Sequence, residues 1–98
     1  MAMILSFGDK TTEDIYHGAD TKAARKITRQ LWERIQAKLD LLNAAITLED
    51  LRVPPSNHLE KLRGNWEGFY SIRINAQYRL VFRYEQGNCC DVRCTDYH

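Results

Sequence analysis

The second half of the chain alternates between apolar and polar side chains, with the period of two that a half-buried strand requires. The apolar positions are Tyr70, Ile72 and Ile74 in one segment and Tyr78, Leu80, Phe82 and Tyr84 in the next. Keeping the two apolar faces together predicts a hairpin with a three-residue loop at 75–77. That register places Arg73 directly opposite Arg79 on the other face.

A third strand is expected to follow the second. A loop at 86–88 would set Leu80 opposite Cys94 and bring Thr95 beside Arg79. In that register Cys90 and Cys94 share the apolar face and act as small core hydrophobes. The chain has 3 cysteines, an odd count that does not suggest a disulfide framework. Only Cys94 and His98 fall at a spacing seen among zinc ligands, and one such pair is weak evidence, so no metal site is expected.

Helical periodicity dominates residues 20–45, where apolar side chains recur every three or four positions. The stripe consists of Ile27, Leu31, Ile35, Leu39, Leu42 and Ile46. A break is possible near Thr28, and Trp32 borders the stripe as a core residue. Upstream, residues 3–7 are typical of a short strand, and residues 11–18 of one or two helical turns.

Together these elements predict one α+β domain over residues 1–98, with N-terminal helices packed on an antiparallel sheet of about four strands. Charged residues make up 28% of the chain and hydrophobic residues 44%, as in ordinary soluble proteins. No apolar run approaches the roughly 20 residues needed to span a bilayer. We therefore expect a cytoplasmic protein with no membrane partner.

The formal net charge is only +1, but its distribution is uneven. Residues 22–38 carry several basic side chains against the single acid Glu33. They are Lys22, Arg25, Lys26, Arg29, Arg34 and Lys38. This stretch would attract phosphates, and the alternative is a solvated helix face.

A second basic feature lies on the polar face of the predicted sheet. Arg73, Arg79 and Arg83 share one side of two strands, and Arg93 joins them from the third. Guanidinium groups bind phosphate bidentately and stack on bases. For Arg83 and Arg93, ion pairs are an equally good explanation; the nearby carboxylates are Glu67, Glu85 and Asp91. Arg73 and Arg79 have fewer acids nearby, which favours a functional role for them.

The last three residues, Asp96, Tyr97 and His98, combine a carboxylate, a phenol and an imidazole that titrates near neutral pH. Cleavage of RNA through the 2′-hydroxyl needs a base, a charge stabiliser at the phosphate and an acid at the leaving oxygen. These groups and Arg79 could supply all three without a metal ion or cofactor.

The chain resembles the HigB toxins (plasmid maintenance killer proteins) of the RelE/ParE superfamily. The resemblance is carried by residues 65–80, with SIRIN at 71–75, and by DYH at 96–98. Three further stretches share it, at 41–45, 48–57 and 59–62. It implies a RelE-like fold and a ribosome-dependent endoribonuclease that cuts mRNA. It also implies a helix-turn-helix (HigA-like) antitoxin as partner, besides the ribosome and mRNA.

Two alternatives to the nuclease stay open at this point. One is a non-enzymatic ParE-like toxin that binds and poisons DNA gyrase. The other is an inactive relative that only pairs with its antitoxin. The DYH ending favours the nuclease, since a pure binder does not need these groups.

The resemblance also implies roles for individual residues. His98 would transfer a proton, Tyr97 would stack or relay protons, and Asp96 would orient them, while Arg79 would hold the scissile phosphate. The expected RNA-binding residues are Arg73, Arg63, Lys61, His58 and Arg83, and the expected ribosome contacts are Lys22, Arg25, Lys26 and Arg29. Some relatives carry a catalytic histidine where this chain has Glu60, so His58, Lys61 and Arg63 remain candidates for the second catalytic position. We expect the antitoxin to bind the helix side.

Overall fold

The computed structural model describes residues 3–96, which form two α-helices and a four-stranded sheet. The helices are α1 (Lys10–Tyr16) and α2 (Trp32–Ala44), and the strands are β1 (Glu60–Lys61), β2 (Phe69–Arg73), β3 (Tyr78–Glu85) and β4 (Asn88–Asp96). The strands lie in the order β1-β2-β3-β4, each antiparallel to its neighbour, which confirms the predicted α+β architecture. Within residues 3–96, neither helix has the length and apolarity to cross a membrane.

Short 3-10 turns fill most of the connections between these elements. They are Ala24–Lys26, Arg29–Leu31, Leu48–Arg52, Pro55–Asn57 and Gly64–Trp66. The turn that starts at Leu48 has a capping box, in which the side chains of Thr47 and Asp50 bond each other's backbone N–H groups.

The hairpin between β2 and β3 has the predicted register, with Arg73 opposite Arg79. Its loop forms because the side chain of Asn75 takes the place of a backbone acceptor. Asn75 Oδ1 accepts hydrogen bonds from the N–H groups of Gln77 at 2.9 Å and Tyr78 at 2.7 Å. A local side-chain bond therefore sets the register that aligns the two arginines.

The hairpin between β3 and β4 differs from the prediction near its loop. Glu85 pairs with Asn88, so the loop has two residues, and the expected loop at 86–88 was wrong. Gln86 and Gly87 have φ angles of 50° and 80°, the pattern of a type I′ turn. This turn matches the twist of the strands, which is why it replaces the longer loop.

A bulge at Asp91 then corrects the register. The pairing shifts between Val81 and Arg83, and Asp91 takes a left-handed φ of 52°. Beyond the bulge, Leu80 pairs with Cys94 as predicted. The shorter turn and the extra residue compensate, so the end of β4 has the expected alignment.

The bulge also changes which cysteine faces the core. Cys89 and Cys94 join the core cluster, whereas Cys90 pairs with Arg83 on the opposite face. The prediction that Cys90 belongs to the core face was therefore wrong. Burial raises the pKa of both Cys89 and Cys94 to about 12, so these thiols stay protonated and pack as apolar groups.

The N-terminal segment lies along β4 but does not form the predicted regular strand. It makes two isolated parallel bridges, Ile4 with Cys89 and Phe7 with Val92. The bulge at Asp91 falls between these bridges and interrupts the ladder. The segment thus extends the sheet as irregular backbone.

The continuous helix predicted over residues 20–45 was wrong, although the possible break near Thr28 is confirmed. Ile27 and Thr28 are extended, with ψ angles of 136° and 138°, and α2 begins only at Trp32. The indole Nε1 of Trp32 donates to the carbonyl of Ile27 at 2.9 Å. This bond satisfies a carbonyl that a continuous helix would have used itself.

The core lies between the helices and one face of the sheet. From α2 it receives Trp32, Ile35, Leu39 and Leu42, and from the sheet and the β2–β3 connection Ile72, Ile74, Leu80, Phe82, Cys89, Val92 and Cys94. Ile46 is 70% exposed, because α2 has already ended at Ala44, so the predicted stripe stops short of it. The opposite face is not open either, since Ser71 and Val81 are fully buried there.

Replacing a core leucine tests this packing. Leu39 is fully buried, so Leu39→Ala should lower the free energy of unfolding by about 2–5 kcal/mol. The matched control is Leu5→Ala, since Leu5 is 57% exposed and should change stability little. Denaturant unfolding measures both, and equal effects of the two substitutions would contradict the assignment of the core.

Asp14 ties α1 to the segment that follows it. Its nearly buried carboxylate accepts hydrogen bonds from Lys10 Nζ and from Thr21 Oγ1, each at 2.6 Å. The bond from Lys10, followed by that from Thr21, holds the pKa of Asp14 below its ordinary value. Folding therefore stabilises the ionised carboxylate.

This linkage predicts an acid-dependent loss of stability. Because the pKa of Asp14 is lower in the folded state, its contribution is present above the unfolded value of about 4 and is lost as the pH falls through the folded pKa. Asp14→Asn should therefore lower Tm most near neutral pH, with the difference from the parent shrinking below about pH 4. Asp40→Asn, an exposed substitution on α2, serves as control. A difference in Tm that is the same at neutral and acid pH would argue against this role of Asp14.

Candidate functional site

Arg79 is the best-fixed cation on the polar face of the sheet. Its Nε donates to Ser71 Oγ at 2.7 Å, and its Nη2 donates to the carbonyls of His58 and, at 3.4 Å, of Ser71. Glu60 Oε1 lies 3.9 Å from Nη2, and the arginine side chain is 13% exposed. The guanidinium is thus held across β2 in one orientation, and within residues 3–96 its Nη1 group has no hydrogen-bond partner.

The loop that presents His58 to Arg79 is anchored by a buried amide. Asn57 is fully buried, and its Nδ2 donates to the carbonyls of Leu51 at 3.1 Å and Val53 at 3.2 Å. His58 follows in the left-handed conformation, with φ of 45°, and its own side chain is exposed. Asn57 was not among the residues singled out from the sequence, and its bond to Leu51 ties this loop to the turn Leu48–Arg52.

Arg73 and Arg79 pair across the hairpin, but their guanidinium groups separate. Arg73 Nε donates to the carbonyl of Asn75 at 3.1 Å, towards the tip of the hairpin. Arg73 also lines a pocket of about 460 Å³ together with Arg34 and Lys38 from α2. The two arginines therefore do not converge on one point, as the pairing alone suggested.

Arg83 forms ion pairs, which is one of the two explanations that the sequence left open for it. Its guanidinium bonds the carboxylate of Glu85 and, at 2.9 Å, that of Asp91. Arg93 has no ion pair within residues 3–96, and its guanidinium lies over the ring of Trp66, 5.6 Å from the centroid. Neither side chain is as available to an external anion as Arg73, which is exposed and has no ion pair within residues 3–96.

Lys61 and Arg63 lie at the other end of β2. They line a shared cavity of about 320 Å³ together with Gly64 and Glu67, and both are exposed. Lys61 pairs with Tyr70, so this cavity adjoins β2, the strand that also carries Ser71, the hydrogen-bond acceptor of Arg79. Neither cation has an ion pair within the part of the chain that the structure describes.

The end of β4 arrives beside this site. Thr95 pairs with Arg79, as predicted, and Asp96 pairs with Tyr78. Alternation along the strand places Asp96 on the side away from Arg79, where its carboxylate accepts a hydrogen bond from Gln77 Nε2 at 3.1 Å. The expectation that Asp96 orients the terminal cluster stays a prediction.

Tyr97 and His98 lie outside the described residues, which end at Asp96. Their predicted roles in proton transfer and stacking are therefore not tested by the structure. The described part of the site consists of the fixed Arg79, the backbone of His58, and the two flanking basic cavities.

Comparison with known proteins assigns the chain to a family. A model of the HigB-like toxins, described as RelE-like toxins of the type II toxin-antitoxin system HigB, matches residues 5–98. The chain belongs to this family.

Individual relatives agree with this assignment. Toxin HigB-1 of Vibrio cholerae is 44% identical over 85 residues, which cover 87% of each chain. Endoribonuclease HigB of Proteus vulgaris is 27% identical over 96 residues, covering 98% of this chain and all of the relative. The YoeB-YefM complex of Staphylococcus aureus contains a chain with a TM-score of 0.54 at 20% identity, covering 100% of this chain and 98% of its own. This structural likeness shows the RelE-like fold and nothing beyond it.

In this HigB-like toxin, the predicted ribosome contacts fall into two groups. Arg25 and Arg29 both bond the carboxylate of Asp20, at 2.9 Å and 3.0 Å. Lys22 and Lys26 are exposed and have no ion pair within residues 3–96. Asp20 lies just outside the basic stretch read from the sequence, so the local charge excess is smaller than predicted.

A substitution at Ser71 tests how Arg79 is held. Ser71→Ala leaves the Nε–H of a largely buried guanidinium without its acceptor, which should cost about 1–3 kcal/mol of folding stability. Ser56→Ala, at an exposed serine, is the matched control. Chemical denaturation compares the two, and a stability of Ser71→Ala equal to that of the control would show that this bond does not restrain Arg79.

Proposed function

We propose that this HigB-like toxin is a ribosome-dependent endoribonuclease that cuts mRNA by acid–base chemistry without a metal ion. The observation that carries the proposal is the fixed guanidinium of Arg79, bound to Ser71 Oγ and the carbonyl of His58. An arginine that is oriented before the substrate arrives costs little reorganisation when charge develops on a phosphate. The name of the Proteus vulgaris relative, Endoribonuclease HigB, agrees with this chemistry.

The proposed reaction is attack by the ribose 2′-oxygen on the adjacent phosphorus. A base takes the 2′-hydroxyl proton, the bond from phosphorus to the 5′-oxygen breaks, and an acid protonates that leaving oxygen. The products are a 2′,3′-cyclic phosphate and a 5′-hydroxyl end. Arg79 stabilises the negative charge on the phosphate oxygens in the transition state.

Two histidines are assigned to the proton transfers. His98 is the main proton-transfer residue, as its place in the terminal DYH motif suggests. His58 is the candidate for the second position, because its carbonyl is bonded to Arg79 and the residue is exposed. This favours His58 over Lys61 and Arg63, which line the separate cavity at the end of β1.

The remaining residues bind and orient the substrate in this proposal. Tyr97 stacks on a base or relays a proton, and Asp96 orients the terminal residues. Lys61 and Arg63 hold the RNA backbone as exposed cations. Lys22 and Lys26 contact ribosomal RNA, with Arg25 and Arg29 held beside them by Asp20.

The proposed partner in the cell is a helix-turn-helix antitoxin of the HigA type, acting in the cytoplasm. Its proposed docking surface is the helix side, where Ile46 is 70% exposed beside a cavity of about 190 Å³ that Leu41 and Leu51 help to line. An antitoxin bound there blocks ribosome access without filling the Arg79 site. A structure of the complex with antitoxin atoms against Arg79 would contradict this placement.

Cleavage on programmed ribosomes tests the proposed reaction. His98→Gln should reduce the rate of mRNA cleavage by about 10²–10⁴-fold, because it removes a proton-transfer group. Arg52→Gln is the control, since Arg52 pairs with Glu49 at the surface and should leave the rate unchanged. Primer extension on the translated message locates the breaks within codons.

The cleavage assay, combined with a DNA gyrase supercoiling assay, separates the alternatives. If His98→Gln cuts at the parent rate while His58→Gln is inactive, the main proton transfer belongs to His58. If the parent leaves the message intact and inhibits gyrase, the nuclease proposal is wrong and the ParE-like alternative holds. An intact message without either effect would identify an inactive relative that only binds its antitoxin.

A further inference from the structure

We propose that the pocket between α2 and the β2–β3 hairpin binds a backbone phosphate of single-stranded RNA, next to the phosphate at Arg79. The pocket is lined by Arg34, Lys38, Ser56, Arg73, Ile74, Asn75 and Ala76. The inference deepens the proposed function and rests on it for the choice of RNA as ligand. In this proposal, residues of α2 and residues of the β2–β3 hairpin form one binding site.

The cations of this pocket are held by uncharged groups. Arg34 Nη1 donates to the carbonyl of Ile74 at 3.3 Å, and Arg73 Nε donates to the carbonyl of Asn75 at 3.1 Å. Each guanidinium therefore has a fixed edge on the hairpin backbone and keeps other N–H groups for a ligand. Both arginines lack an ion pair within residues 3–96.

Lys38 is placed by a buried residue. Its Nζ donates to Oδ1 of Asn57, whose amide is in turn fixed by two backbone carbonyls. Burial, followed by the charge of Arg34, lowers the pKa of Lys38. A bound anion would offset both effects, because it neutralises the repulsion and solvates the ammonium group.

The charge in the pocket has no internal counterion. Three of the residues that line the pocket are basic, and no lining residue is acidic. By contrast, several other arginines have a carboxylate partner, as Arg25 and Arg29 have in Asp20 and Arg83 has in Asp91. A volume of about 460 Å³ lies within the roughly 300–1,000 Å³ of small-ligand sites and admits a phosphate with part of its sugar.

The pocket and the Arg79 site are held in place by neighbouring residues. Arg73 of the pocket pairs with Arg79 across the hairpin. Asn57, which holds Lys38, immediately precedes His58, whose carbonyl holds Arg79. Because consecutive or paired residues hold the two sites, we expect one RNA strand to reach both of them with neighbouring phosphates. The pocket then sets the position of the strand along β2 relative to Arg79.

Direct RNA binding tests the pocket without depending on cleavage. The probe is a short, fluorescently labelled 2′-O-methyl oligoribonucleotide, which lacks the attacking hydroxyl, titrated with the full chain at several KCl concentrations. Arg34→Gln and Lys38→Gln should each weaken binding about tenfold at low salt, as expected for a lost charged hydrogen bond. Each should also make the dependence of log K on log[KCl] shallower by about 0.7.

Arg52→Gln is the matched control, since it removes the same charge from an ion-paired surface site. Its affinity and salt slope should equal those of the parent. Parent-like affinity and slope in Arg34→Gln would overturn the pocket, as would an equal loss in the control. If Lys38→Gln proves unfolded by thermal melting, Arg34→Gln decides alone, because Arg34 is an exposed residue.

Inorganic phosphate distinguishes an RNA site from a small-anion site. RNA affinity should rise with oligonucleotide length, and phosphate should compete only at much higher concentration. Competition by phosphate at the concentration of RNA phosphates would overturn the RNA assignment. Altered RNA binding without any mRNA cleavage would leave the pocket standing and reject the nuclease, whereas cleavage with parent-like binding in both pocket variants would reject the pocket alone.

Discussion

The site depends on how one largely buried arginine satisfies its hydrogen bonds. The pairing of β2 and β3 fixes the backbone of Arg79, and its side chain is only 13% exposed. A buried guanidinium without acceptors would be strongly destabilising. Ser71 therefore faces it from β2, and His58 turns its carbonyl towards it in a left-handed conformation. The need to satisfy this charge assembles three chain segments that are distant in sequence into one site.

The sequence predicts the features that depend on local patterns. The period of two and the turn chemistry of Asn75 are local, so the pairing of Arg73 with Arg79 was predicted correctly. The two-residue turn and the bulge at Asp91 were not, because their effects on register cancel at the end of β4. The difference in register changes only which side chains between the turn and the bulge face the core, as it does for Cys89.

Features that depend on distant contacts could not be read from the sequence. The apolar stripe suggested a continuous helix, but the carbonyl of Ile27 is used by the indole of Trp32 instead. Likewise Arg34 was recognised only as part of a basic stretch, and its meeting with Arg73 requires the packing of α2 on the hairpin. Periodicity reports which face of an element is apolar, whereas a site is defined by which elements meet.

Pairing of charges, more than their number, decides which cations remain for a nucleic acid. A net charge of +1 gives no hint of RNA binding, and within residues 3–96 six basic side chains have a carboxylate within 4.0 Å. Along β2 the remaining cations occupy two places, with Lys61 and Arg63 at one end and the Arg34–Arg73 pocket at the other. Arg79 lies between them, at Ser71. If this protein binds RNA as proposed, few contacts carry the attraction, and each of them contributes a measurable share of the salt dependence. On that proposal, even a nearly neutral protein places an RNA strand in register with Arg79 through a small number of unpaired cations.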